Sequence, residues 1–441
     1  MNEYLLTLAQ PILEPVISGD LYPLLTRFMP WVIFYEIPFA LLIYLGVIKY
    51  RILRSTEVTN AAYHPYVSCI ITCYSEGETV SQSIISLTEQ LYTGKIQILP
   101  VVDGAEQNQD TYQAALVLKT YVKNKPGKTL EVIPKWRRGG RVSAINTGLQ
   151  YADGEIIFIL DGDTSFDNDM IERAVRHFTD PTVAAVSGAL RVRNADNSIT
   201  ASLQAIEYFI SIETAKTGLS SFNMVNNVSG AFGVFRRSII DLIKGWDAGT
   251  AEDLDTTLRI KQYFKRGNFK IIFDPEALGH TDVPKTLAGF YKQRIRWDGD
   301  LPFIYITKHR MAFNANLTGW PNFIMLVING LYSQLVLPFI IFCYTLWLLI
   351  SYPLSYVMGL MLIVYLFYLL LLIVMYLGGV LLVSTHKKEE LSRLPLLPLF
   401  PLFTFSTKIN GLIAILYEIF FRSHKDSSMA PWWVTKKSKF D

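Results

Sequence analysis

The sequence predicts an α/β domain with a mostly parallel sheet, placed between membrane-spanning helices. Hydrophobic residues make up 51% of the 441 residues and charged residues only 18%, which is too apolar for an average soluble protein. The apolar excess lies towards the two ends of the chain, whereas the central part alternates strand-like and helix-like segments. Such alternation is typical of a parallel sheet.

The first membrane helix is predicted at residues 28–48, an apolar run of the length needed to cross a bilayer. Lys49, Arg51 and Arg54 follow directly. Because basic residues favour the cytoplasmic side, residues 1–27 are predicted to be external or interfacial. Glu36 interrupts the run, either as a functional carboxylate within the membrane or as a residue near the outer interface.

The central domain is predicted at residues 65–300, on the cytoplasmic side. The strands are expected at residues 67–73, 96–102, 130–133 and 155–160, and the helices at residues 81–90, 108–123 and 144–151. Acidic or polar clusters follow the strands, namely Tyr74-Ser75-Glu76, Asp103-Gly104 and Asp161-Gly162-Asp163. Because ligands bind beyond the carboxyl ends of parallel strands, these clusters are predicted to line a ligand site.

After the central domain, the chain is predicted to return to the membrane. Residues 287–303 combine arginine and tryptophan with apolar residues, as a helix at the membrane interface does. The apolar runs 321–350 and 354–383 are predicted to be transmembrane helices joined by a short outer turn. Residues 394–421 have basic flanks on both sides, which favours a re-entrant or interfacial segment over a transmembrane one. Residues 422–441 are predicted to be a basic cytoplasmic tail.

Charge and cysteine content argue against several other classes of protein. The net charge of +3 gives no case for a nucleic-acid binder. Cys69, Cys73 and Cys343 are an odd and scattered set, which argues against a disulfide framework or a zinc site and predicts reduced thiols.

Asp161-Gly162-Asp163 is the sharpest local signal in the sequence. Two carboxylates in a tight turn can bind one hard cation, and Mg²⁺ or Mn²⁺ is typically held by one or two carboxylates plus substrate phosphates. The alternative is an ordinary turn rich in aspartate and glycine. At the neighbouring strand ends, Asp103 can accept a hydrogen bond from a base or ribose, and Tyr74 can stack on a base with Glu76 nearby.

A basic glycine loop precedes a predicted helix. Lys135, Arg137, Arg138 and Arg141 surround Gly139-Gly140, a pattern that suits a diphosphate and that a solvated loop would also show.

Two later motifs complete the set of candidates. Asp253, after Glu252, can act as a general base, although acidic residues at a helix start also stabilise the helix. Gln293, Arg296 and Trp297 share one helical face. They can clamp a diphosphate and support a sugar ring, or they can anchor a helix at the membrane interface.

Taken in order, these motifs resemble the inverting family 2 glycosyltransferases over residues 65–300. The Gln293-x-x-Arg296-Trp297 element is similar to their processive membrane branch, the poly-N-acetylglucosamine, hyaluronan, chitin and cellulose synthases. The resemblance implies a GT-A fold. The chain departs from the family pattern at Ser75, Arg141 and Ala251, where asparagine, lysine and threonine are usual, and these departures leave the sugar open.

The resemblance also implies a role for each motif. The implied roles are uridine binding by Tyr74, Glu76 and Asp103, diphosphate binding near Arg141, donor binding by Asp161, metal binding by Asp161 and Asp163, acceptor binding by Ser229 and Gly230, catalysis by Asp253 with Glu252, and diphosphate and acceptor contacts from Gln293, Arg296 and Trp297.

We therefore expect a hexosyltransferase of the plasma (inner) membrane that polymerises a sugar from UDP-N-acetylglucosamine or UDP-glucose into a β-linked exopolysaccharide, coupled to export. The expected cofactor is Mg²⁺ or Mn²⁺. The expected partners are the UDP-sugar donor, the growing glycan, the lipid bilayer, and an accessory membrane subunit or a second copy of the chain. The alternatives are transfer of one sugar to a lipid carrier and a catalytically dead receptor on the same fold.

Overall fold

The N-terminal part of the computed structural model is helical. The structure describes residues 2–55, 63–247 and 251–422. Helices α1 (Asn2–Ile17) and α2 (Tyr22–Trp31) are followed by a π-helix (Val32–Glu36) and by α3 (Ile37–Ser55). The segment Tyr22–Arg54 is long and apolar enough to cross a membrane, so the run predicted at residues 28–48 lies within a longer helix.

Within the described residues, the central domain contains one sheet of nine strands. The strands are β1 (Val67–Cys73), β2 (Ile96–Asp103), β3 (Lys128–Leu130), β4 (Ile133–Lys135), β5 (Ile156–Asp161), β6 (Ser165–Phe166), β7 (Val183–Val192), β8 (Phe232–Arg236) and β9 (Lys270–Thr281). Their order is β3-β2-β1-β5-β8-β7-β9-β6, and β4 also pairs with β2. Strand β8 runs antiparallel to both β5 and β7.

The sheet confirms the predicted α/β fold, because β3, β2, β1 and β5 are parallel. Every residue of β1, β2 and β7 is buried, since helices cover both faces of a parallel sheet. The register pairs Cys73 with Val102 and Thr72 with Asp161. The residues that follow β1, β2 and β5 therefore meet at one edge.

Short helices surround the sheet. They are α4 (Val80–Thr88), α5 (Gln109–Val117), α6 (Lys119–Lys123), α7 (Arg141–Tyr151), α8 (Met170–Val175), α9 (Ile199–Tyr208), α10 (Ala215–Ser220), α11 (Arg237–Ile243), α12 (Glu252–Lys261) and α13 (Phe264–Gly267). A π-helix (Phe209–Thr214) joins α9 to α10, and 3-10 helices lie at Gly77–Thr79, Arg176–Thr179 and Ala195–Asn197.

Two predicted elements of this region are divided in the structure. The helix expected at 108–123 is interrupted at Leu118, whose N–H donates to the Ala115 carbonyl in a tightened turn. The strand expected at 130–133 is replaced by two short strands, β3 and β4. Each pairs with a different part of β2, and the residues between them do not pair with it.

The remaining helical elements include the long apolar helices of the C-terminal part. They are α14 (Leu287–Gly299), a π-helix (Phe303–Lys308), a 3-10 helix (Arg310–Ala312), α15 (Ala315–Thr318), α16 (Trp320–Met325), a π-helix (Leu326–Val336), α17 (Leu337–Ser351), α18 (Leu354–Leu382), α19 (Lys387–Ser392), a 3-10 helix (Leu394–Leu399) and α20 (Phe400–Phe421). Three segments here are long and apolar enough to span a membrane: Trp320–Ser351, Leu354–Leu382 and Leu394–Phe421.

The C-terminal predictions differ from the structure in detail. The interface helix expected at 287–303 ends at Gly299, and a π-helical turn starts at Phe303. Residues 394–421 form one helical segment without a chain reversal. These residues therefore do not form a re-entrant hairpin. Whether they cross the membrane stays a prediction. Most of the predicted tail at 422–441 lies outside the described residues.

Close backbone contacts fix the central domain to the apolar helices. A Cβ atom at Gly46 of α3 would lie 2.0 Å from the Gly218 carbonyl oxygen of α10, so the two backbones touch. Helix α14 packs on α20, where the rings of Phe290 and Phe403 are 4.8 Å apart and Asn410 donates a hydrogen bond of 3.3 Å to a main-chain carbonyl of α14. The position of α14 is thus set by an apolar helix.

Candidate active site

A cavity of about 670 Å³ opens at the edge of the sheet where β1, β2 and β5 end. All residues given an individual role in the predicted site line this cavity: Tyr74, Glu76, Asp103, Arg141, Asp161, Asp163, Ser229, Gly230, Glu252, Asp253, Gln293, Arg296 and Trp297. Of the basic glycine loop, Arg138 and Gly140 also line it, whereas Lys135, Arg137 and Gly139 do not. The structure therefore brings together motifs that are far apart in the sequence, and their individual roles stay predictions.

Arg141 is the central cation of the cavity floor. It donates from Nε to Glu252 Oε1 (2.6 Å), from Nη1 to Thr72 Oγ1 (2.9 Å) and from Nη2 to the Gly230 carbonyl (2.6 Å), and it forms an ion pair with Asp161. One guanidinium thus connects β1, β5, the loop before β8 and the start of α12. Glu252 is therefore a buried partner of Arg141, whereas the neighbouring Asp253 is not engaged by it.

Asp103 shapes the basic glycine loop. Its carboxylate accepts hydrogen bonds from Lys135 Nζ (2.7 Å) and from the main-chain N–H groups of Gly139 (2.9 Å) and Gly140 (2.8 Å). A Cβ atom at Gly139 would lie 2.1 Å from Lys135 Nζ and 2.9 Å from Ser143 Cβ, so a larger residue there would displace Lys135 from Asp103. The sequence predicted a ligand contact for Asp103, and these hydrogen bonds to the loop were missed.

Tyr74 lies under the same loop. The guanidinium of Arg138 is 4.2 Å from the centre of the Tyr74 ring, a distance typical of a cation–π contact. Arg138 therefore covers one face of the ring predicted to stack on a base.

Glu76, Asp161 and Asp163 place three carboxyl groups, an acidic cluster, in one part of the cavity. Burial, together with the charges of Asp163 and Asp161, raises the pKa of Glu76 to about 8. Desolvation in the cavity and the charge of Asp161 raise the pKa of Asp163 to about 6. Glu76 Oε2 has no hydrogen-bond partner among the described residues. A bound cation would favour the charged forms of these carboxyl groups, and oxygen ligands are those that Mg²⁺ and Mn²⁺ prefer.

The same cluster is incomplete as a metal cage. Within the described residues, no group of three or more His, Cys, Asp or Glu side chains is arranged to hold an ion. This is expected where substrate phosphates complete the coordination of the ion. Gly162 permits the close approach of the carboxylates, since a Cβ atom there would lie 3.1 Å from Glu76 Cγ.

Asp253 lies in the first turn of α12 and lines the cavity. Its Oδ1 accepts from the Leu254 N–H (2.7 Å), a contact within the helix start, and its Oδ2 accepts from Asn227 Nδ2 (3.2 Å). Ala251, just before the helix, has a left-handed conformation with φ +43°, which is strained for a residue with a side chain. The carboxylate thus lies in the cavity with a defined orientation.

Helix α14 forms the opposite side of the cavity, and the sequence missed one of its residues. Arg294 donates a hydrogen bond of 2.7 Å to Glu207 of α9. Its guanidinium lies 4.6 Å from the Trp297 ring and 4.9 Å from the Phe290 ring. The spacing of Gln293, Arg296 and Trp297 gave no signal for Arg294, because its partner Glu207 is distant in the sequence.

Other residues that line the cavity also escaped the sequence motifs. They are Glu207, Tyr208, Lys216, Asn226, Asn227 and Gln334. Gln334 belongs to the apolar segment Trp320–Ser351, so the cavity extends from the sheet edge to that segment.

Comparison with known proteins gives a consistent result. The model of "Glycosyl transferase family group 2" matches residues 156–382, and that of "Glycosyl transferase family 2" matches residues 68–243. A poly-beta-1,6-N-acetyl-D-glucosamine synthase of Staphylococcus epidermidis is 30% identical over 233 residues, which are 52% of this chain and 53% of that protein. The synthase of Staphylococcus aureus (strain COL) is 29% identical over 252 residues, 57% of this chain and 58% of that protein.

The chain thus matches little more than half the length of these curated relatives. Among solved structures, a mannosyltransferase from Pyrobaculum calidifontis in complex with GDP-Man and Mn²⁺ superposes with a TM-score of 0.51 and 18% identity. The superposition covers 87% of this chain and 99% of that one, which shows a shared fold. Since the first family model spans more than half of the chain, the protein belongs to the family 2 glycosyltransferases, with a GT-A-like sheet between long apolar helices.

Proposed function

We propose that the protein is an inverting hexosyltransferase that polymerises sugar units from a UDP-sugar into a β-linked exopolysaccharide. The observation that carries this proposal is the cavity, which holds Asp253, the acidic cluster and the cationic face of α14 together. A donor diphosphate needs cations, and an acceptor hydroxyl needs a base. The cavity offers both.

In the proposed reaction, Asp253 accepts the proton of the acceptor hydroxyl. The acceptor oxygen forms a bond to the anomeric carbon of the donor while the bond from that carbon to the diphosphate oxygen breaks, and UDP leaves. One displacement inverts the configuration, so an α-linked donor gives a β-linked product. Holding both substrates in line in one cavity supplies much of the acceleration.

The residues around the leaving group have complementary tasks in this proposal. Asp161 and Asp163, with Glu76 beside them, would hold Mg²⁺ or Mn²⁺, and the ion would supply positive charge to neutralise the departing diphosphate. Arg296 stabilises the same charge from the α14 side. Arg141 keeps Asp161 and Glu252 in place through the contacts described above. The Mn²⁺ in the structurally similar mannosyltransferase supports a divalent cation here.

The favoured donor is UDP-N-acetylglucosamine, with UDP-glucose as the other candidate. The similarity to two synthases of poly-beta-1,6-N-acetyl-D-glucosamine supports this choice. Trp297, which is 37% exposed, offers a flat surface for an acceptor sugar ring.

Polymerisation is proposed to be coupled to export across the plasma (inner) membrane. The extension of the cavity to Gln334, in a segment that can span a membrane, supports a path for the product. Lys49, Arg51 and Arg54 after the first span support a cytoplasmic position of the catalytic domain. We also propose that a second copy or an accessory membrane subunit completes the path.

The test is turnover by the purified protein in lipid nanodiscs. Separate reactions would contain radiolabelled UDP-N-acetylglucosamine or UDP-glucose with Mn²⁺ or Mg²⁺, and both UDP release and product length would be measured. We expect UDP release and a ladder of products with UDP-N-acetylglucosamine. A product of one sugar on a lipid would contradict polymerisation, and no transfer from either donor would contradict the proposed function.

A further inference from the structure

Lys216 is a buried lysine that lines the cavity but belongs to none of the family motifs in the sequence. It lies on α10 and is only 6% exposed. Its Nζ donates a hydrogen bond of 3.0 Å to the main-chain carbonyl of Asn227. Removing an ammonium group from water is costly. A buried lysine at this position therefore suggests a function that offsets the cost.

The partner of Lys216 is also the partner of Asp253. Asn227 presents its carbonyl to Lys216 and donates from its side-chain Nδ2 to Asp253 Oδ2 at 3.2 Å. A single residue therefore connects the buried cation to the carboxylate proposed as the base. The following residues of the loop are held separately, since Val228 N–H donates to Thr257 Oγ1 (2.9 Å) and Ser229 N–H donates to Ser187 Oγ (3.2 Å).

The helix that carries Lys216 is packed tightly against α3. Two residues further along α10, Gly218 has its backbone against α3, and a Cβ atom there would lie 2.3 Å from the Ile43 carbonyl oxygen. Close packing of the two backbones fixes α10 against α3, and this fixes the position of the Lys216 main chain. Burial lowers the pKa of Lys216 to about 8, and the charge of Asp253 opposes this shift. The side chain is therefore largely protonated at neutral pH.

We propose that Lys216 is a positioning residue that holds Asn227 and, through it, sets the orientation of Asp253 towards the acceptor hydroxyl. This inference rests on the proposed function, in which Asp253 is the base. It assigns Lys216 to the acceptor step, because its contacts run to the loop of Asn227 and not to the acidic cluster.

Lys261 provides a matched control on α12. It is fully buried, and its Nζ has no hydrogen-bond partner within the part of the chain that the structure describes. It does not line the cavity. Replacing either lysine by methionine removes a buried amino group and keeps a similar chain length, but only Lys216→Met removes a hydrogen bond to Asn227.

The experiment compares wild type, Lys216→Met, Lys216→Arg and Lys261→Met in nanodiscs. The measured quantities are kcat, the KM of the donor, the ratio of UDP released to sugar transferred, and the thermal unfolding midpoint. For Lys216→Met we expect a fall in kcat of about 10- to 100-fold, the range for a lost buried hydrogen bond beside a general base. The donor KM should stay within about twofold, and the ratio of UDP released to sugar transferred should rise.

The controls separate positioning from folding. Lys216→Arg should recover at least a third of the wild-type kcat because it keeps a charged donor, and Lys261→Met should keep kcat within about twofold. Unchanged kcat in Lys216→Met, or equal losses of kcat in both methionine variants, would overturn the inference. If Lys216→Met does not fold, Lys216→Leu, which also lacks a hydrogen-bond donor, takes its place with the same expected result. Failure of the wild type itself to transfer sugar would instead overturn the proposed function.

Discussion

The two sides of the cavity hold their charged residues in different ways. On the sheet side, Arg141 pairs with Asp161 and Glu252 across the ends of β5 and α12. On the α14 side, Arg294 is held by Glu207 and by aromatic rings, and α14 itself is held by α20. The sheet side depends on strand ends within one domain, whereas the α14 side depends on packing against an apolar helix.

This difference predicts how each side responds to change. On the sheet side, loss of one charge leaves other buried charges without a partner, which is costly. On the α14 side, loss of one contact shifts a helix that aromatic packing still supports. We therefore expect large and local effects when a paired charge is lost on the sheet side, and small, graded effects when a single contact between α14 and α20 is lost.

The largest effect is expected for Asp253→Asn. Loss of the proton acceptor should lower kcat by about 10²- to 10⁴-fold, while donor binding should stay unchanged, because Asp253 is separate from the acidic cluster. Calorimetry with the UDP-sugar and turnover assays would measure the two quantities. Asp241→Asn, at a side chain that is 61% exposed on α11, is the matched control and should keep full activity. Activity of Asp253→Asn near the wild-type level would rule out the proposed base.

The next effect is expected for Arg141→Met. Glu252, which is 3% exposed, would lose its cation, and Asp161 would lose it as well. The variant should be less stable by about 3 kcal/mol, measured as a lower midpoint of thermal unfolding. Adding Glu252→Gln should recover part of the lost stability, because a neutral amide then replaces the unpaired buried carboxylate. A double variant no more stable than Arg141→Met would show that the ion pair to Glu252 does not organise this side.

The requirement for a metal ion tests the acidic cluster. Chelation should stop sugar transfer, and Mn²⁺ or Mg²⁺ should restore it. Asp163→Asn should raise the Mn²⁺ concentration for half-maximal activity by about 10- to 100-fold, as expected for loss of one carboxylate ligand. Asp169→Asn removes a carboxylate that pairs with Arg173 outside the cavity and should leave the metal requirement unchanged. Full activity in the presence of a chelator would contradict the proposed requirement for a metal ion.

The smallest effect is expected on the α14 side, for Asn410→Leu in α20. The variant loses the hydrogen bond of 3.3 Å to the Tyr291 carbonyl, worth about 1 kcal/mol. Because Phe290 and Phe403 still pack, kcat should fall by no more than about fivefold. A loss as large as that of Asp253→Asn would show that α14 is no more tolerant than the sheet side, and the contrast between the two sides would fail.

Several features could be predicted from the sequence for a simple physical reason. Parallel strands end at one edge of their sheet, so residues at or just after the strand ends, such as Asp103, Asp161 and Asp163, had to lie near one another. Long apolar runs likewise marked the helices, because hydropathy and length depend only on local sequence. The exact ends of these helices were less accurate, as the earlier start at Tyr22 shows.

Other features were decided by contacts between distant parts of the chain. Arg294 and Glu207 are brought together only when α9 and α14 pack, and Lys216 reaches Asn227 only because α10 lies against α3. The sequence by itself determined which residue types stand at the strand ends, and hence the fold and the family. The tertiary structure alone decided which charges pair across the cavity, because a hydrogen bond of about 3 Å depends on packing between helices that no local pattern encodes.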